Sequence, residues 1–133
     1  MSEYNVESEY SSEPWGIDNS TQRYSFVADE GKGKGPNPVE YLTGAVNSCL
    51  SISAAMLIAH RKLDIKNFKI NNTAHTRKLE HGMSDVARMD LVITFESKMS
   101  QEQQDAFVKR MFEVSTVYQT IAKAVKMDIK VNP

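Results

Sequence analysis

A run of apolar residues at spacings of three and four, starting directly after a glycine- and proline-rich breaker, constrains this chain more than any other feature. Leu42, Ala45, Val46, Cys49, Ile52, Met56 and Ala59 fall on one face of a helix. Asn37 suits the N-cap and Pro38 the first helical position. The spacing predicts a helix over 38–62, about 37 Å long at 1.5 Å per residue, which would span the whole domain. Leu50, Ala54, Leu57 and Ile58 lie off the stripe, so this central helix is expected to bury more than one side. Glu40, Thr43, Asn47 and several serines interrupt the apolar run, which therefore does not read as a membrane span.

The flanks read as strands and a second helical region. Tyr4, Val6 and Tyr10 alternate with Asn5, Glu7 and Glu9, and Tyr24, Phe26 and Ala28 alternate with Arg23, Ser25 and Asp29. Both stretches predict half-exposed strands, separated by a turn-rich Ser11-Ser12-Glu13-Pro14-Trp15-Gly16 segment. Gly31-Lys32-Gly33-Lys34-Gly35-Pro36-Asn37-Pro38 reads as a flexible loop or linker. Beyond the central helix, Phe68, Ile70 and Ala74 share a parity, and Met89, Leu91, Ile93 and Phe95 alternate with polar neighbours, predicting a β-hairpin over 65–97 that turns at Glu80-His81-Gly82-Met83-Ser84. Ser100 with Gln103 forms a capping box, and Phe107, Met111, Val114, Tyr118 and Ile121 carry a helical stripe over 100–123. Val125, Met127, Ile129 and Val131 predict a terminal strand over 125–131. Strands, a long helix, two strands, a helix and a strand make an α+β chain with an antiparallel sheet, read as one domain over 1–133 with its N-terminal strands and glycine loop in 1–35.

Composition removes several classes of function. At 133 residues the chain suits one domain with a real core. A single cysteine excludes an internal disulfide framework and a thiolate zinc site. Sixteen Lys+Arg against 17 Asp+Glu lack the basic excess of a nucleic-acid binder. The start, Met1-Ser2-Glu3-Tyr4-Asn5, lacks a basic and apolar leader, so a cytoplasmic location is expected. The glycine loop meets neither phosphate-binding pattern: Pro38 stands where a dinucleotide fingerprint needs its third glycine, and no Gly-Lys-Ser/Thr ending follows. His60, His75 and His81 have no ligand partner at metal-site spacing and read as surface or turn histidines, so neither metal nor cofactor is expected.

Cys49 is the residue with chemical potential. On an apolar helical stripe a lone thiol is ordinarily a small core residue. It lies too far into its helix for that helix's own N-terminal dipole to act on it, so reactivity requires groups delivered by another segment.

The segment Gly35-Pro36-Asn37-Pro38-Val39-Glu40-Tyr41-Leu42-Thr43-Gly44-Ala45-Val46-Asn47-Ser48-Cys49-Leu50 resembles the signature of the OsmC/Ohr family, in which a proline- and glutamate-containing segment leads into a helix whose cysteine follows a small residue. The preceding Val27-Ala28-Asp29-Glu30 strand and the later hairpin, helix and strand extend the resemblance over residues 20–131. It implies an OsmC/Ohr-like fold, a sheet wrapped around the long central helices of an intertwined homodimer. It also implies attack of the helix cysteine, here Cys49, on an organic hydroperoxide, resolution by a second cysteine on the later helix, and an arginine and a glutamate supporting the first thiol.

The chain departs from this pattern at three places. Ser115 stands where the resemblance puts the resolving cysteine, and serine forms no disulfide. Val39 holds the position of the supporting glutamate; Glu40 follows it, and nine residues before Cys49 is about half a turn around the helix, facing away within one chain. The Gly-Gly-Arg element near the N-terminus is missing, and its substitute Arg23 has the parity of the solvent side of its strand. Two functions follow. One is a one-cysteine thiol peroxidase that uses an external thiol or dithiol as reductant. The other is a non-catalytic OsmC-like protein, stress-related or binding an apolar ligand, that lost peroxidase activity with its resolving cysteine. The expected partners are a second copy of the chain and a small hydroperoxide or apolar ligand, with neither nucleic acid nor membrane.

Overall fold

The computed structural model describes residues 1–12 and 15–133. In chain order it contains β1 (Glu7–Ser12), β2 (Gly16–Ser20), β3 (Ser25–Ala28), α1 (Pro38–Arg61), β4 (Lys66–Lys78), β5 (Ser84–Glu96), α2 (Gln101–Glu113), α3 (Thr116–Ile121) and β6 (Lys126–Val131), with one 3-10 turn, Glu80–Gly82, between β4 and β5. This is an α+β chain with two three-stranded sheets, β1-β2-β3 and β4-β5-β6. The residues fall into two compact units, Met1–Leu42 and Thr43–Pro133.

In the first unit both strand pairings are antiparallel, with Tyr10 opposite Ile17 and Ile17 opposite Ala28. The loop expected to be a flexible linker is instead fastened by one side chain. The Asp29 carboxylate accepts N–H bonds from Gly31 (2.8 Å), Gly33 (3.4 Å) and Lys34 (2.7 Å), and the Asp29 N–H donates to the Pro36 carbonyl at 3.0 Å. Gly31 sits at φ +96°, and a Cβ on Gly35 would collide with the Val27 carbonyl, so both positions demand glycine. The loop delivers Asn37 as the cap of α1: its Oδ1 accepts from the Glu40 N–H at 2.8 Å, and Glu40 Oε1 accepts from the Asn37 N–H at 2.9 Å. Tyr41 Oη donates to the Val27 carbonyl at 2.6 Å, and its ring lies 5.2 Å from that of Phe26.

In the second unit the core is built from the odd residues of β5 (Met89, Leu91, Ile93 and Phe95), from Val46, Leu50 and Ala54 of α1, and from Phe107 and Met111 of α2. Phe107 meets both Phe95 and Phe68 edge to face, at 5.6 and 6.2 Å, a geometry that favours the aromatic quadrupoles. The β4–β5 hairpin is antiparallel and reverses at His81 and Gly82, both at positive φ. Ser100 and Gln103 form the predicted capping box on α2.

The structure corrects the sequence reading in five respects. The N-terminal sheet has a third strand, β2, where Trp15 and Gly16 read as turn; Glu13 and Pro14 of that expected turn lie outside the described residues. The second helical region is broken at Val114 and Ser115 into α2 and α3. The second sheet is not wholly antiparallel: β6 runs parallel to β5, with Met89 opposite Met127 and Leu91 opposite Ile129. A parallel neighbour requires a crossover connection, which α2 and α3 supply. The stripe on α1 is divided, with Val46 buried but Ala45, Ile52, Met56 and Ala59 exposed, because the helix turns the face centred on Leu50 inward. The Asp29 loop is the fifth. By length and apolar content alone α1 passes as a membrane span, as core helices also do. Its Asn47 and Ser53 are bonded within the chain, to Asn72 of β4 and Ser115 before α3.

Candidate functional site

The candidate site lies in the second unit, where α1 meets the start of α3. Cys49 is a half-buried free thiol in the middle of α1. Its sulfur accepts a hydrogen bond from the main-chain N–H of Val117 at 3.4 Å. Val117 is the second residue of α3, where main-chain N–H groups have no acceptor inside the helix. The hydrogen bond that another segment brings to this sulfur comes from a backbone amide, not from a charged side chain.

Ser115 is fully buried and caps α3 without a side-chain bond to that helix. Its Oγ lies 2.6 Å from the Met111 carbonyl and 2.9 Å from Ser53 Oγ. A hydroxyl has one proton. With that proton donated to Met111, the shorter bond, Ser115 accepts from Ser53. Ser53 stands one helical turn beyond Cys49 on α1 and is itself buried. Ser53, Ser115 and the Met111 carbonyl thus form a closed polar chain inside the core, beside the thiol and the Val117 amide.

The other two candidates stand elsewhere. Glu40 is in the first turn of α1 and its carboxylate is engaged by the Asn37 N–H, so it serves as half of the capping box. Arg23 lies in the exposed turn between β2 and β3; its main-chain N–H donates to Thr21 Oγ1, and its guanidinium makes no ion pair with any described residue. The structure brings Cys49 and Ser115 to the same junction and gives Glu40 and Arg23 separate tasks in the first unit.

Among the described residues no group of three metal-binding side chains comes together. His60 and His81 are exposed, and His75 is bonded to Asp90 at 2.8 Å on the second sheet. Arg88 reaches Asp90 at 3.0 Å and Asp128 at 3.7 Å, so this array links β4, β5 and β6. Burial alone would raise the Asp90 carboxyl, but hydrogen bonds from His75 and Arg88, with the Arg88 charge, hold it below its ordinary value. In the first unit a mostly apolar hollow of about 590 Å³ is lined by Tyr10, Trp15, Ile17, Ala28, Asp29, Glu30 and Pro38.

Sequence reasoning missed Ser53 and Val117. Ser53 carried a faint signal, a hydroxyl one turn after the cysteine in an otherwise apolar segment. Val117 carried none, because the group it contributes is a main-chain N–H that every residue but proline possesses.

The family model described as OsmC-like protein matches residues 31–130. Comparison with curated protein sequences gives no significant match. Among solved structures, the chain is similar to an OsmC like protein from Mycoplasma pneumoniae, at TM-score 0.85 and 15% identity over 98% of this chain and 96% of that one. A hypothetical protein from Aquifex aeolicus superposes at TM-score 0.82 and 22% identity, over 98% and 97%. An organic hydroperoxide resistance protein OsmC from Legionella pneumophila superposes at TM-score 0.77 and 12% identity, over 100% and 98%. At such identities these likenesses speak to the fold.

Proposed function

Because the chain belongs to the OsmC-like protein family, we propose that it is a one-cysteine thiol peroxidase that reduces organic hydroperoxides. In this reading Cys49 is the attacking thiol and a small external thiol or dithiol is the reductant. The observation that carries it is the placement of the sulfur: half-exposed, and met by an otherwise uncommitted N–H at 3.4 Å. An N–H donor is a fitting partner for a thiolate, the form of a cysteine that attacks.

The cycle balances as follows. The Cys49 sulfur attacks one peroxide oxygen, the O–O bond breaks, and the remaining oxygen leaves with a proton as an alcohol. Cys49 becomes a sulfenic acid. A reductant thiol then displaces its oxygen as water, forming a mixed disulfide, and a second thiol equivalent restores Cys49. Ser115 cannot form the disulfide that a second cysteine would, so in this reading the thiol that reduces the sulfenic acid comes from outside the chain. A steady thiol supply fits a reducing compartment, and the cytoplasm is the location this reading assigns. It also assigns a homodimer, supported by the exposed apolar face of α1, where Ile52 and Met56 are 61% and 55% exposed.

The test is consumption of cumene hydroperoxide with dithiothreitol as reductant, comparing the wild-type chain with Cys49→Ser. The expected result is thiol-dependent consumption that disappears in the variant. If the wild-type chain consumes no hydroperoxide, the reading fails. The alternative, a non-catalytic OsmC-like protein that binds an apolar ligand, then stands, and the hollow around Trp15 favours it.

A further inference from the structure

The Val117 amide is placed to do more than solvate the sulfur. Its nitrogen is already 3.4 Å from Cys49 Sγ, and at the second position of α3 its proton can leave without breaking a helical hydrogen bond. The chain has no second cysteine, and the Ser115 hydroxyl is already bonded to Met111 and Ser53. Within this chain, therefore, no side-chain thiol can close on an oxidised Cys49, while a main-chain nitrogen stands in contact with it. Such nitrogens condense with sulfenic acids to give sulfenamides.

We propose that, after oxidation by a hydroperoxide, the Cys49 sulfur is captured by the main-chain nitrogen of Val117 as a sulfenamide, a reversible cross-link between α1 and α3. This rests on the peroxidase reading only in needing a hydroperoxide to oxidise the thiol; it does not need turnover. In the capture step the S–N bond forms as the S–O bond of the sulfenic acid breaks. The hydroxyl leaves with the amide proton as water, and no further oxidant is consumed. An incoming thiol reverses it: it attacks the sulfur, the S–N bond breaks, and the thiol's proton returns to the Val117 nitrogen. The mixed disulfide left on Cys49 is reduced by a second thiol. Capture removes the sulfenic acid that excess peroxide would carry to the irreversible sulfinic stage. It does for this chain what a resolving cysteine does elsewhere.

Intact-mass spectrometry of the full chain, treated without thiol first with one equivalent of cumene hydroperoxide and then with an excess, tests this. The expected product is about 2 Da lighter than the reduced chain, the loss of two hydrogens on forming the S–N bond. In a chain with one cysteine, a monomer of that mass contains no internal disulfide. Fragmentation should join the Cys49 peptide to the Val117 peptide, dithiothreitol should restore the starting mass, and Val117→Ala, which keeps the N–H, should behave alike. Val117→Pro, which has no N–H, should accumulate sulfenic and then sulfinic acid. If that variant misfolds, the wild-type fragmentation pattern decides alone. A wild-type thiol that proceeds to sulfinic acid with no lighter species overturns the proposal and leaves the peroxidase reading standing. So does a cross-link to the Leu50 nitrogen or a disulfide between two copies. A thiol that cumene hydroperoxide leaves unchanged removes both.

Discussion

Ser53 Oγ and Ser115 Oγ lie 2.9 Å apart in the interior, joining the central helix to the break between α2 and α3. Both side chains are nearly closed to solvent, so neither can exchange this bond for water. Ser115→Ala leaves the Ser53 hydroxyl without that partner. It should cost about 1–3 kcal/mol in stability, measured as a lower urea midpoint at unchanged slope. An unchanged midpoint would mean that the bond is not formed in solution.

Ser115→Cys tests the same junction by chemistry. Cys49 contacts Val117, two residues beyond Ser115. A thiol at 115 should therefore bridge to Cys49 under mild hydroperoxide treatment, since disulfides need Cα separations of about 4.4–6.8 Å. Loss of both free thiols with monomeric mobility on non-reducing gels is the expected outcome. A folded variant that keeps two free thiols would place residue 115 out of reach.

Acid should loosen the Asp29 loop. The N–H groups of Lys34 and Gly31 hold the Asp29 carboxyl below its ordinary value of 3.8; burial opposes them, and the Gly33 and Lys32 N–H groups add to them. A carboxyl lowered in the folded state contributes stability that is complete above the unfolded value and is lost as pH falls through the folded one. Urea midpoints should therefore be level above about pH 5 and decline below about pH 4. The decline should be shallower in Asp29→Asn, which cannot titrate there. Equal declines in the two proteins would refute the assignment. Asp90, also lowered, acts in the same pH direction and remains in both.

The exposed apolar face of α1 predicts association. Ala45, Ile52, Met56 and Ala59 recur at helical spacing on the surface of the protomer. Obligate dimer interfaces exceed about 2,000 Å² and are rich in such side chains. Sedimentation should give a dimer at low micromolar concentration, and Ile52→Glu should shift it toward monomer. A wild-type monomer would contradict the expectation.

Much of the fold was legible because its elements carry strong periodicity. The α1 stripe, the Met89-Leu91-Ile93-Phe95 alternation and the Ser100–Gln103 capping box each map onto an observed element. Strand β2 escaped because Gly16-Ile17-Asp18-Asn19-Ser20 has a single large apolar residue and gains its place by pairing with both neighbours. The break at Ser115 escaped because the apolar stripe runs on through it. The direction of β6 escaped because alternation is the same whichever way a strand runs. Of the candidate site, the cysteine and the serine were visible in the sequence. The amide that meets the sulfur was not, because backbone groups become specific only through tertiary structure.

The parallel pairing of β5 and β6 also bears on the order of assembly. The hairpin of β4 and β5 closes over a few residues, but β6 cannot pair until α2 and α3 have been laid across the unit. Such long closures are slow relative to hairpin formation. The Val117 N–H travels on that crossover, so the thiol waits for its partner until late in folding. Pulsed alkylation during refolding should find Cys49 reactive well after the β4–β5 amides are protected, and protection of both in a single phase would show that the crossover closes with the hairpin. On that order of assembly the nascent chain passes through an interval in which its only cysteine is bare, and in that interval oxidant exposure would trap it without the amide that meets it in the finished fold.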